Sequence, residues 1–150
     1  MALTAEATIE VGAAPRAVLE LVLDLDRYRQ ADRKIVRVIS TTGPDADGRG
    51  SVRFWGRLRF MPPLPDTQLF VLERWSRLTF TGAPRQPGRL VFGFTGTFEC
   101  EETAAGCRFT HRYEFRFRGP FRVVERILGT WLQDEIEVEV AKVKTLVEAS

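Results

Sequence analysis

The chain opens on strict alternation. In LTAEATIEV (3–11), Leu3, Ala5, Ala7, Ile9 and Val11 fall on one parity and Thr4, Glu6, Thr8 and Glu10 on the other. A period of two predicts a β-strand covered on one face. AAPRAVLELVLDLDRY then changes to helical spacing, with Pro15 in the first turn and Val18, Leu21, Val22 and Leu25 on one side. A second short helical turn is expected in DRYRQADRK, before KIVRVISTT (34–42) becomes extended again. GPDADGRG (43–50) is turn chemistry. In SVRFWGRLRF, Val52, Phe54, Gly56, Leu58 and Phe60 alternate against arginines. MPPLPD ends that strand, because proline cannot donate to a ladder; a rigid connection is its more ordinary meaning than a PxxP ligand.

DTQLFVLERW and SRLTFTGA read as two further strands. In the first both parities are mainly apolar, so its inward set is either Leu69, Val71, Glu73 and Trp75, or Phe70, Leu72 and Arg74. RLVFGFTGTFECEE (89–102) carries Leu90, Phe92, Phe94, Phe98 and Cys100 on one parity. It is expected to form a hairpin with CRFTHRYEFRFRGPF (107–121), where Phe109, His111, Tyr113, Phe115 and Phe117 share a face against alternating polar residues. Glycines 56, 93 and 96 within strands mark bends. From Gly119 the pattern turns helical for good, and Pro120 suits a helix start. One helix of about 28 residues, roughly 42 Å long at 1.5 Å per residue, is predicted. Its stripe is Leu128, Leu132, Ile136, Val140, Val143 and Val147, widened by Val124, Ile127, Trp131 and Val138. Gly129 inside it costs about 1 kcal/mol relative to Ala and marks a bend or a close contact near a pocket entrance.

Composition narrows the function classes. With 150 residues, 44% hydrophobic and 28% charged, the sequence suits one globular domain over 1–150. No apolar run approaches the roughly 20 residues of a transmembrane helix, and the N-terminus lacks the basic and apolar regions of a secretory signal, so a cytoplasmic location is expected. Nineteen arginines stand against three lysines, with no Asn, which looks more like a GC-rich coding bias than a binding code. At a net charge of +2, with acids interleaved among the arginines, nucleic-acid binding is disfavoured. One His and two Cys offer no ligand set for structural zinc, and no metal site is expected. Cys100 and Cys107 flank the turn EETAAG at a spacing that permits a disulfide, but two small buried hydrophobes with reduced thiols is the favoured reading.

The order of strand, two short helices, six strands and a long helix resembles the START-like, or Bet v 1-like (SRPBCC), superfamily. More specifically, it is similar to the small bacterial polyketide cyclase/dehydrase and lipid-transport family. The residues that carry the resemblance are ATIEVGAAPRAVLELVLDLDRYRQ at the start and GPFRVVERILGTWLQDEIEVEVAKVKTLVE at the end. It spans essentially the whole chain and rests on pattern and order, not on an invariant catalytic string. One departure is the absence of the tryptophan that such relatives usually carry a few residues after Tyr28; Gln30 or Ala31 stands there. The resemblance implies an α+β helix-grip fold: a curved seven-stranded antiparallel β-sheet wrapped around a long C-terminal α-helix, with two short helices after strand 1. It also implies a pocket between sheet and helix, and enzymes that need no cofactor.

His111 is the one histidine of the chain and sits on the greasy side of its strand. Either it is a satisfied group in a dry core, or it meets a ligand in a cavity. On the second reading the pocket is lined by Phe54, Leu58, Phe80, Phe92, Phe94, Phe98, Phe109, His111, Tyr113, Phe115, Leu128, Trp131 and Leu132, within a wider inward set that adds Phe60 and Phe117. Pockets are mostly apolar with a few placed polar groups. The first expectation is a carrier or sensor of a hydrophobic small molecule, such as a lipid, polyketide or isoprenoid. The second is a cofactor-free cyclase or dehydratase with His111 as acid or base, assisted by Tyr113 and, if it faces inward, Glu73. The third is a protein-interaction module with a filled core and an exposed Arg/Trp face that includes Trp55. Expected partners are a hydrophobic small molecule and no nucleic acid. Transient membrane contact is compatible with the chain, as a monomer or homodimer.

Overall fold

The structure, a computed structural model, describes residues 2–150. Seven antiparallel strands form one sheet: β1 (Leu3–Val11), β2 (Ile35–Thr42), β3 (Arg49–Gly56), β4 (Leu64–Glu73), β5 (Arg77–Gly82), β6 (Phe92–Thr103) and β7 (Gly106–Phe117). Their order across the sheet is β1-β7-β6-β5-β4-β3-β2. The helices are α1 (Pro15–Leu23), α2 (Leu25–Tyr28), α3 (Val123–Leu128) and α4 (Trp131–Glu148). No helix among the described residues is long and apolar enough to cross a membrane.

The period of two accounts for the β6–β7 hairpin. In β7 every second residue from Cys107 to Phe117 is buried, and the register places Phe98 opposite His111 and Phe94 opposite Phe115. The intervening Arg108, Arg112 and Arg116 are exposed. Onto this buried face α4 lays Leu132, Ile136, Val140, Val143 and Val147, all buried and each worth roughly 1.5–3 kcal/mol of apolar burial. Burying that stripe holds the helix on the sheet. At the other end of the sequence, Pro15 starts α1, whose Val18, Leu19, Leu21 and Val22 are buried, and the Asp24 side chain accepts a hydrogen bond from Arg27 N at the start of α2. Cys100 and Cys107 are free and buried.

Two expectations are corrected and one open choice, the inward face of β4, is decided. The strand read through Phe60 stops at Gly56, and Phe60 is 76% exposed with φ 64°. Arg57 N still donates to Lys34 O, after which the chain leaves the ladder ahead of Pro62 and Pro63. In β4 the inward residues are Phe70 and Leu72, while Leu69 and Val71 face outward. The long C-terminal helix is two helices. Gly129 adopts φ 48°, ψ −123°, a conformation that L side chains avoid, and closes α3; a new helix begins at Trp131. The 18 residues of α4 therefore span about 27 Å, not 42. Ile127 and Val138, read as part of the apolar stripe, are exposed.

A Cβ at Gly129 would meet no close atom, the nearest being Arg126 O at 3.6 Å, so the cost of a side chain there is conformational. Gly129→Ala is expected to lower stability by about 1–3 kcal/mol. A urea titration followed by circular dichroism reads this; an unchanged midpoint would mean that the helix break does not depend on the glycine.

Candidate functional site

Between the buried face of the sheet and α1–α2 the side chains leave a hollow of about 110 Å³, open on one side. The walls are mainly apolar. Of the residues expected to line it, Phe54, Leu58, Phe80, Phe92, Phe94, Phe98, His111, Tyr113 and Phe115 do so. The other four do not. Phe109 is fully buried among Val11, Cys107 and their neighbours, and Leu128 and Leu132 are buried in a second cluster, against which Trp131 packs. At that end the helix sits close enough to the strands that its side chains fill the space instead of walling it. Phe117 is buried in the same second cluster.

One end of the hollow is polar, and most of its members were not expected. Glu139 lies on α4 three residues after Ile136 and four before Val143, so it points into the sheet with the apolar stripe and is 1% exposed. Three donors from three parts of the chain meet its carboxylate. Tyr28 donates its hydroxyl to Oε2 at 3.2 Å, His111 Nδ1 lies 2.9 Å from the same oxygen, and Lys34 Nζ bonds Oε1. Lys34 Nζ is also 2.9 Å from Asp32 Oδ1 and sits 4.9 Å from the centre of the Tyr113 ring. Asp32 further accepts Lys34 N at 3.0 Å, which fixes the turn that delivers both side chains. Beside this cluster Arg33 forks onto Glu135.

The arrangement determines protonation. Burial works against the Lys34 ammonium, but Asp32 and Glu139 outweigh it and hold the group charged well above its usual range. Burial, with the Glu139 carboxylate adding to it, raises Asp32 to about 6. Burial pushes His111 down to about 3, with the Lys34 charge adding to the effect, so the imidazole is neutral at pH 7. Because a carboxylate only accepts, the 2.9 Å approach of Nδ1 to Glu139 assigns the proton of the neutral ring to Nδ1 and the lone pair to Nε2. Phe98 stacks on the ring at 4.0 Å between centroids and fixes its plane. The Tyr113 hydroxyl is already committed, donating to Leu132 O at 2.9 Å.

Glu73 is placed elsewhere. It ends β4 on the outer face, its side chain 57% exposed beside Arg77, because the other parity of β4 is the one that turns inward. The residues that sequence reasoning missed left a signal. Glu139 interrupts the i, i+3, i+4 run of the apolar stripe, and Lys34 is one of three lysines in a chain of nineteen arginines.

Lys34→Met would leave Asp32 and Glu139 buried without their cation, and is expected to cost about 3–5 kcal/mol in unfolding free energy at neutral pH. A loss below about 1 kcal/mol would mean that water already screens the cluster. The two shifted groups also act oppositely on stability. Asp32, raised from 3.8 to about 6, contributes stability that is full below pH 3.8 and lost as pH rises through 6. His111, lowered from 6.5 to about 3, contributes stability present above pH 6.5 and lost as pH falls towards 3. Between about pH 4 and 6 the two slopes oppose each other in the native chain. In His111→Gln the His111 slope is gone and that of Asp32 remains, so the variant's unfolding free energy, taken relative to the native chain's, should fall as pH rises across that window. A rise would contradict the protonation scheme.

A comparison with protein families matches residues 2–148 to polyketide cyclase / dehydrase and lipid transport. Among curated proteins none is similar enough in sequence to count as a match. Several solved structures share the fold at low identity. The ZhuI aromatase/cyclase from Streptomyces sp. R1128 is 14% identical, with a TM-score of 0.78 over 99% of this chain and 94% of its own. StfQ, the di-domain ARO/CYC of the steffimycin biosynthetic pathway, is 11% identical with a TM-score of 0.74; 99% of this chain covers 51% of that one, so the chain spans about half its length. TTHA0849 from Thermus thermophilus is 16% identical, with a TM-score of 0.71 over 99% and 98% of the two chains. The chain therefore belongs to the polyketide cyclase/dehydrase and lipid transport family.

Proposed function

We propose that the chain binds a small, largely apolar molecule in the hollow and orients it through a single hydroxyl group. The observation that carries this reading is a mainly apolar cavity whose wall includes both the neutral His111 ring and the Lys34 ammonium, with Arg57, Asp66 and Gln68 among its other polar lining. A hydroxyl can donate to the first and accept from the second. A carboxylate ligand is disfavoured, because Asp32 and Glu139 already exceed the single Lys34 charge. At about 110 Å³ the hollow is smaller than the roughly 300–1,000 Å³ of pockets for drug-sized ligands, and nearer the roughly 150 Å³ cavity that takes up benzene. It suits one ring or a short chain, with the rest of a larger lipid, polyketide or isoprenoid lying through the open side.

A second reading, cofactor-free cyclisation or dehydration, is favoured by Lys34, whose ammonium beside the hollow is suited to stabilising an enolate oxygen. The protonation states weigh against it. A general base works best with a pKa near the working pH, and His111 is pushed far below. Tyr113 spends its proton on a backbone carbonyl, and Glu73 is outside. Binding is thus the primary reading, with catalysis conditional on a ligand that changes the His111 environment.

The test compares phenol with toluene, two single-ring probes that differ in the hydroxyl, by calorimetric titration. Phenol should bind the native chain about tenfold more tightly than toluene, the worth of one net hydrogen bond. In His111→Phe, checked for folding by its melting curve, that preference should vanish while toluene still binds. Equal affinities in the native chain would overturn the orienting role, and no uptake of either probe would overturn the cavity reading.

A further inference from the structure

Three segments fall at one end of the sheet, and the first of them lines the hollow: residues 57–63 between β3 and β4, 83–91 between β5 and β6, and 118–127 from the end of β7 through α3. Met61, Val91 and Val124 pack against one buried cluster, Arg118 N donates to Val91 O at 2.9 Å, and Arg57, Met61 and Pro62 line the hollow itself. These segments hold seven arginines and one acid, Glu125, whose Oε1 is buried. The remaining chain carries fifteen cations against nineteen acids. The near-neutral total of +2 thus hides a strongly basic rim on an acidic body.

All seven arginines are exposed, and none forms an ion pair among the described residues. Of the other twelve, seven do. Interleaved with the free cations are large apolar side chains in water: Phe60, Leu90, Phe121, Val123 and Ile127, the first two 76% and 78% exposed. Cations without acidic partners and apolar side chains in water, Arg59 lying over the Phe60 ring at 4.6 Å, together at one end of the sheet, call for a surface that is anionic at the top and apolar beneath.

We propose that this rim docks on an anionic membrane surface, with the mouth of the hollow turned towards the lipid. Arg57, Arg85, Arg89, Arg122 and their neighbours meet headgroup phosphates, and Phe60 and Leu90 enter the interface below them. A planar interface engages all three segments at once, whereas the groove of one acidic helix would reach only some of them. Docking in this orientation lets an apolar ligand pass between bilayer and hollow without crossing water. It does not depend on the chemistry at His111, so the two readings fail separately.

The experiment is co-sedimentation of the full chain with vesicles of phosphatidylcholine alone and of phosphatidylcholine mixed with phosphatidylglycerol, at low and high salt. Binding is expected to the mixed vesicles at low salt, and to be weaker by about tenfold or more at high salt or without the anionic lipid. The double variant Arg122→Glu/Arg126→Glu should lose as much. Phe60→Ser, at an exposed loop position outside the core, should lose affinity while keeping the native melting curve. The proposal is overturned if neither vesicle binds, if both bind equally, or if the folded variants bind like the native chain. Salt-sensitive binding to a soluble acidic protein with none to vesicles would also overturn it, and would make the rim a protein-docking face.

Discussion

A carboxylate in the middle of an apolar helix face governs this molecule's interior. Glu139 has no access to water, and an ionised group in that position is tolerable only if its hydration is replaced by fixed donors. Tyr28 from α2, Lys34 from the turn before β2 and His111 from β7 supply them. Each comes from a different part of the chain, so the Glu139 side chain ties α4, the first helical region and the middle of β7 to one point. Apolar packing holds α4 on the sheet but is indifferent to small slides along it. A carboxylate with three partners is not, which gives the cluster a role in setting the helix's position.

The same requirement shapes what the hollow can do. Because Glu139 takes the proton-bearing nitrogen of His111, the other nitrogen is left as an acceptor, and because burial, with the Lys34 charge adding to it, works against the charged form, the ring stays neutral. A group held this way is a good hydrogen-bond partner and a weak base. Family membership admits both a carrier and a cyclase, and the electrostatics of the hollow tilt the balance towards recognition. For catalysis the ligand itself would have to exclude water, or bring charge, so as to raise the imidazole back towards neutral pH.

Much of the frame was legible because β-alternation is a local property. β1 falls on the residues that the alternation of LTAEATIEV marks, and β7 buries the parity that its phenylalanines define. Reasoning from pattern failed where one residue overrides its neighbours. Phe60 keeps the parity of β3 but lies past the end of the ladder, and Gly129 stops a helix whose apolar spacing continues on both sides. In β4, with apolar residues on both parities, periodicity had nothing to choose with; its neighbours in the sheet decided, and Glu73 went outward. The site was half legible. His111 stood out as a polar residue on a greasy face, while Glu139 was hidden among the acids of DEIEVEV and Lys34 among the charges of DRK, because burial of a charge depends on partners distant in sequence.

The choice of cation at the cluster follows from geometry. The chain uses arginine nearly everywhere, yet the buried cation is a lysine. A guanidinium carries five N–H donors in a rigid plane and would need acceptors along its whole fork, which a hollow walled by phenylalanine does not offer. An ammonium has three. Asp32 and Glu139 meet two of them, leaving capacity for one more acceptor near the face of Tyr113. The arginines, whose forks suit phosphate and carboxylate, are all exposed, where water or acids can satisfy them, and seven of them are in ion pairs. What composition alone presented as a coding bias is sorted in space by how many partners each cation needs.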